Sequence, residues 1–148
     1  MGTAERWQGH PPLPGDLSER LDDIVSRLRR GGADLIYVFG SAVRPDLEGS
    51  HVPGDLDLAV HGLDEDVWRV RADLEKALGT DRLDLVRLEE TDPELRFEVI
   101  ARGRLLYAAS RELENDFELR ALREYRDLAP LRRVQRDHLR ARHGIRGR

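Results

Sequence analysis

Residues Tyr37 to Val60 read YVFGSAVRPDLEGSHVPGDLDLAV. An apolar run closes on Gly40-Ser41, a turn-rich connection follows, and a second apolar run carries Asp55 and Asp57 one residue apart. In an extended strand, residues two apart project to the same side, about 6.5 to 7 Å from each other. Asp55 and Asp57 therefore point together, while Leu56 and Leu58 face the opposite way. Two carboxylates so placed repel unless a cation lies between them. Magnesium suits such a pair, because it takes oxygen ligands and needs only one or two carboxylates when phosphates and water complete its shell. A second ion, roughly 3.5 to 4 Å from the first, calls for a third carboxylate. Asp84, inside the apolar run LDLV, is the candidate.

Gly40 lets the backbone approach a phosphate without a Cβ in the way, and the Ser41 hydroxyl and the N–H groups that follow can donate to phosphate oxygens. Arg44 adds a charge-assisted contact to the same phosphates. A bare Asp-x-Asp carries no weight, since Asp64 and Asp66 form another that reads as a helix start. The ordered combination is what matters: Gly-Ser closing one strand, Asp-x-Asp opening the next, and a lone Asp within a third. Aspartate is disfavoured inside strands, so three of them require a compensating interaction, which metal binding supplies.

Outward from this stretch the chain alternates between helical and extended patterns. The first fifteen residues hold three prolines and no periodicity and are expected to be a flexible lead-in. Asp16 with Glu19 predicts a reciprocally capped helix carrying Leu17, Leu21, Ile24 and Leu28 on one face until Gly31-Gly32. Strands are predicted over Asp34–Phe39, Asp55–Val60, Arg82–Leu88 and Arg104–Ala108. Between them, Asp64, Glu65 and Asp66 open a helix ending at Gly79, and Asp92-Pro93 opens a shorter one ending at Gly103. Ser110 caps a longer helix with Leu113, Phe117, Ala121, Tyr125 and Leu128 in a stripe, broken at Pro130. The remaining segment, LRRVQRDHLRARHGIRGR, is weakly amphipathic. The alternation predicts one α/β or α+β sheet domain.

At 148 residues and 17.0 kDa the chain fits a single domain with its own core. The absence of cysteine excludes disulfides, thiolate metal sites and a cysteine nucleophile. The five histidines, His10, His51, His61, His138 and His143, lack close ligand spacing, so a zinc site is not expected. No apolar run approaches the roughly 20 residues that span a bilayer, and the polar start carries no signal-peptide core, so a soluble, cytoplasmic protein with no membrane partner is expected. The net charge of −4 is uneven: from Arg120 onward ten arginines face only Glu124, Asp127 and Asp137. A basic tail on an acidic body can meet nucleic acid or an acidic partner, or pack on its own body. His51 and His61 read as surface residues, and Trp7 and Trp68 have no functional placement.

The segments Phe39-Gly40-Ser41-Ala42-x-Arg44, Gly54-Asp55-Leu56-Asp57-Leu58, Asp84-Leu85-Val86 and Gly103-Arg104-Leu105-Leu106-Tyr107 resemble the DNA polymerase β-like nucleotidyltransferase superfamily. The small size resembles its minimal nucleotidyltransferase (MNT) branch, and the likeness covers about residues 17 to 108. It implies an α+β fold: a small mixed β-sheet flanked by helices. The domain plan is then a lead-in over 1–15, a nucleotidyltransferase domain over 16–109 and a C-terminal helical extension over 110–148, packing on the domain or on a partner. By the resemblance, Gly40, Ser41 and Arg44 hold the nucleoside triphosphate. Asp55 and Asp57, with Asp84, bind two Mg2+ ions, and Asp84 helps to deprotonate the acceptor hydroxyl.

Members of the branch often act as antitoxins that adenylylate a tyrosine of a HEPN ribonuclease toxin. The resemblance therefore implies a Mg-dependent protein adenylyltransferase antitoxin that uses ATP, with a cognate HEPN-type toxin as partner, in a homo-oligomer or a hetero-oligomer with that toxin. The alternatives are a non-catalytic antitoxin that neutralises by binding, and a nucleotidyltransferase acting on a small molecule or RNA. Arg133 and His138 in RVQRDH match the spacing of a HEPN ribonuclease site, a match expected by chance in so arginine-dense a segment. The chain departs from the pattern in two places: the connection from Ser41 to Asp55 is longer than usual, with the excess in Glu48–Pro53, and Gly54 stands where the branch often has serine.

Overall fold

Leu35–Phe39, a run of five apolar and aromatic residues too short for an ordinary helix, forms the central strand β1 of a computed structural model that describes residues 9–40 and 54–142. Before it lies α1 (Leu17–Arg30). After it come β2 (Leu56–His61), α2 (Val67–Leu78), β3 (Leu83–Arg87), a short 3-10 turn (Leu88–Glu90), α3 (Pro93–Arg102), β4 (Arg104–Ala108), α4 (Arg111–Asp127) and α5 (Ala129–Arg142). The strands make one sheet in the order β3-β2-β1-β4. β1 is antiparallel to both β2 and β4, whereas β2 and β3 run parallel, joined by the crossover through α2. The sheet is therefore mixed and the class is α+β, as expected.

Alternation along the strands sorts the core into two layers. Ile36, Val38, Leu56, Leu58, Val60 and Leu83 pack with Ile24 and Leu28 of α1 and Val70 and Leu74 of α2. Leu35, Tyr37 and Ala59 point to the other face, where Val99 of α3 and Phe117 of α4 cover them. Asp57 shares this second face by its two-residue spacing from Ala59.

The helix starts follow the sequence at three of four places. Asp66 accepts from the Trp68 N–H at 3.0 Å, Asp92 from Leu95 N–H at 2.7 Å and Ser110 from Leu113 N–H at 3.1 Å. Asp16 is the exception: no side-chain cap forms. Its backbone, at φ −97 and ψ 32, departs from the extended conformation that aims a cap, and its carboxylate instead receives Arg20 Nε at 2.9 Å. Glu65 also serves a different purpose from the one expected. Arg27 of α1 binds it at 2.5 Å and Asp73 at 2.8 Å, tying α1 to α2, and these two carboxylates hold the Arg27 pKa above its ordinary value.

Residues 9–15 are tied to the body. Leu13 is buried in the first core layer, and the Thr80 hydroxyl donates to the Pro11 carbonyl. Prolines at 11, 12 and 14 leave few N–H donors that need partners, which suits an extended strap lying over other elements. At the far end, α4 stops at Asp127 and α5 begins after Leu128, placing the break at the proline predicted to cause it.

Tyr37 is 2% exposed, and its hydroxyl donates to Glu118 Oε1 of α4 at 3.0 Å. Burial, and then the Glu118 charge, push its phenol above the ordinary value of 10.0. A raised folded-state value means that this contribution is fully present below pH 10 and is lost as pH rises toward the folded-state value. Tyr37→Phe is expected to cost about 1 to 2 kcal/mol at neutral pH by urea denaturation. It should also flatten the fall in stability above pH 10; an equally steep fall in the variant would contradict the assignment.

Candidate functional site

The parallel pairing of β2 with β3 brings the acids together. Its register sets Leu56 beside Leu83 and Asp57 beside Asp84, while β1 sets Phe39 on the other side of Asp57. Asp55 immediately precedes β2 and is 7% exposed; Asp57 and Asp84 are half-buried. One carboxylate oxygen from each of Asp55, Asp57 and Asp84 lies within 4.8 Å of the others.

Three ionised carboxylates at that spacing repel by roughly 3 kcal/mol per pair at the effective dielectric of a protein surface. A divalent cation converts the repulsion into attraction, and an all-oxygen donor set is the kind that hard ions such as magnesium take. The residues present thus fit the metal that the sequence suggested.

Gly40 ends β1 against this cluster. It holds φ +73, and a Cβ built on it would overlap Asp57 Oδ2. The sequence reading assigned this glycine to phosphate approach; the structure adds that its bare backbone makes room for the Asp57 carboxylate. Ser41 and Arg44 lie outside the described residues, as do His51 and the Glu48–Pro53 loop. His61, four residues beyond Asp57, sits at the opposite end of β2, roughly 13 Å along the strand. There its Nδ1 is 2.6 Å from Asp34 Oδ1 and its ring meets Phe117 edge-on at 5.4 Å, so it takes no part in the cluster.

Arg82 is the residue that sequence reasoning passed over. Its Nη1 donates to the Gly54 carbonyl at 3.3 Å and its Nη2 to the His10 carbonyl at 2.9 Å. The available signal was its position two residues before Asp84, on the same side of the strand. Among the described residues, no helix is long and apolar enough to cross a membrane.

A family model described as polymerase beta, nucleotidyltransferase, matches residues 22–112, a span holding Gly40 and all three aspartates. No curated protein matches the chain in sequence. Among solved structures, the chain is similar to one from the complex of a tri-AMPylated HEPN toxin with an MNT antitoxin of Shewanella oneidensis. That match has 26% identity and a TM-score of 0.67, over 82% of this chain and 97% of that one. A chain of a toxin–antitoxin structure with AMP-PNP matches at 27% identity and TM-score 0.68, over 80% and 96% of the two chains. A chain of the toxin–antitoxin MntA-HepT matches at 25% identity and TM-score 0.65, over 82% and 97%.

Proposed function

Because the chain belongs to the polymerase β nucleotidyltransferase family, we propose that it is a magnesium-dependent antitoxin that transfers AMP from ATP to a tyrosine of a cognate HEPN-type toxin. The observation that carries this reading is the meeting of Asp55, Asp57 and Asp84 beside Gly40. Similarity to chains from complexes with an AMPylated HEPN toxin and with AMP-PNP supports the choice of partner and nucleotide. In this reading residues 16–109 form the catalytic domain and 110–148 a helical extension.

Asp55, Asp57 and Asp84 would hold the magnesium, which when bound supplies positive charge against the phosphates and acidifies a nearby hydroxyl. Gly40 keeps the end of β1 free of a side chain, so that Ser41 and Arg44 can donate to phosphate oxygens. Asp84 accepts the proton of the acceptor tyrosine. The tyrosine oxygen bonds to the α-phosphorus as the bond to the β-phosphate oxygen breaks, and pyrophosphate leaves with that electron pair. Most of the rate comes from holding the two reactants in line.

The test is incubation of the chain with α-labelled ATP, magnesium and a candidate HEPN-type toxin. Label is expected on the toxin, absent with EDTA and absent when the acceptor tyrosine is replaced by phenylalanine. Neutralisation of the toxin without any label would instead establish inhibition by binding.

A further inference from the structure

Asp55 is gripped on both sides by one residue. The Leu56 N–H, directly after it, donates to the Arg82 carbonyl at 2.9 Å, and the Gly54 carbonyl, directly before it, accepts from the Arg82 guanidinium at 3.3 Å. The first bond belongs to the ladder and survives any substitution. The second belongs to the side chain, and it fixes the peptide through which the chain enters the site.

The guanidinium is itself braced. Its other arm donates to the His10 carbonyl at 2.9 Å, and the Arg82 N–H donates to the Thr80 hydroxyl oxygen at 3.3 Å. Thr80, 5% exposed, passes its own proton to the Pro11 carbonyl. Next to it His10 Nδ1 lies 2.7 Å from Asp81 Oδ1. Residues 10–11 and 80–82 thus form a clasp of side-chain and main-chain bonds that reaches toward the acids through Arg82. A planar guanidinium can serve two carbonyls with fixed geometry, which a single ammonium cannot.

We propose that Arg82 is a positioning residue that sets the Asp55 carboxylate in the metal-binding cluster, with the His10–Pro11 segment as its brace. Arg82 touches neither metal nor nucleotide in this role; it acts through Gly54 and Asp55. The proposal rests on the acids being a metal site, and not on the identity of the acceptor. Loss of a group that orients a metal ligand typically weakens metal binding about 10- to 100-fold.

The experiment uses the full chain and manganese(II) alone, a spin-active stand-in for magnesium, with free ion counted by electron paramagnetic resonance. Arg82→Met is expected to raise the manganese Kd about 10- to 100-fold, and Arg82→Lys, which keeps a charged donor group and loses the planar fork, less. Thr80→Val, which removes the bond holding Pro11 and so loosens the brace while leaving the guanidinium, should raise it about 3-fold, and serves if Arg82→Met does not fold. An unchanged Kd in folded Arg82→Met, or in Thr80→Val should Arg82→Met be unfolded, overturns the proposal. A wild-type chain that binds no manganese overturns both this proposal and the metal site. A wild type that binds manganese and transfers no AMP overturns the adenylyltransferase reading and leaves the Arg82 result to be judged on its own.

Discussion

Asp57→Ala is expected to lower nucleotidyl transfer at least ~1000-fold while the fold is retained. Asp57 occupies the middle of the cluster, with Phe39 on one side and Asp84 on the other, and one oxygen of each acid within 4.8 Å of the others. Further along β2 the next residue on that face is Ala59, buried under the second helix layer, which offers no ligand. Removing one of three like charges relieves its repulsion with the other two, so the stability of the metal-free chain should stay level or rise by up to a few kcal/mol, at roughly 3 kcal/mol for each pair relieved. Transfer from labelled ATP gives the first quantity and urea denaturation the second. Activity within tenfold of wild type would remove Asp57 from the chemistry. A collapse in stability would mean that the carboxylate is structural.

Gly40→Ala is the second large effect, and it has a built-in control. Gly40 and Gly79 both hold φ +73, so alanine at either position pays the same left-handed backbone penalty, about 1 kcal/mol or somewhat more. Around Gly79 a Cβ meets nothing within 4 Å, whereas at Gly40 it overlaps Asp57 Oδ2. Gly40→Ala should therefore lose at least as much stability as Gly79→Ala. Only Gly40→Ala should lose transfer activity, by roughly 100-fold, because clearing the overlap shifts the Asp57 carboxylate by about 1 Å, a misplacement larger than a reacting geometry tolerates. Equal activities in the two variants would show that the close approach at Gly40 is unimportant.

Much of this site was legible in the chain because its parts lie in short, strongly patterned segments. LDLAV and LDLV state their own contradiction, an acid in an apolar strand, and the fold resolves it by pairing the two segments in register. The caps at Asp92 and Ser110 were legible because each needs only local geometry, and the acids Asp64 to Asp66 marked a helix start whose cap is Asp66. Asp16 was not, because Arg20 one turn later competes for the same carboxylate. The strap over residues 9–15 could not be read either, since Pro11 is bonded to Thr80, 69 residues away, and Leu13 joins a core spread from Ile24 to Leu83, with no periodicity of their own. Arg82 was hidden for a similar reason. Its side chain acts on carbonyls, and carbonyls leave no mark in a sequence.

The order β3-β2-β1-β4 leaves the three acids unequally held. Asp57 belongs to an interior strand, bonded to neighbours on both sides, while Asp84 belongs to a strand that, among the described residues, lies at the edge and is bonded on one side. Opening the outer strand costs fewer hydrogen bonds, so native-state hydrogen exchange should find the amides of Leu83–Arg87 less protected than those of Leu56–His61. The cluster therefore combines a fixed member with a compliant one, and the compliant one is the acid assigned to the incoming hydroxyl. An edge strand also presents its outer rim to whatever docks beside it. In the proposed reaction, a partner delivering the acceptor would reach Asp84 without disturbing the strand that anchors Asp57.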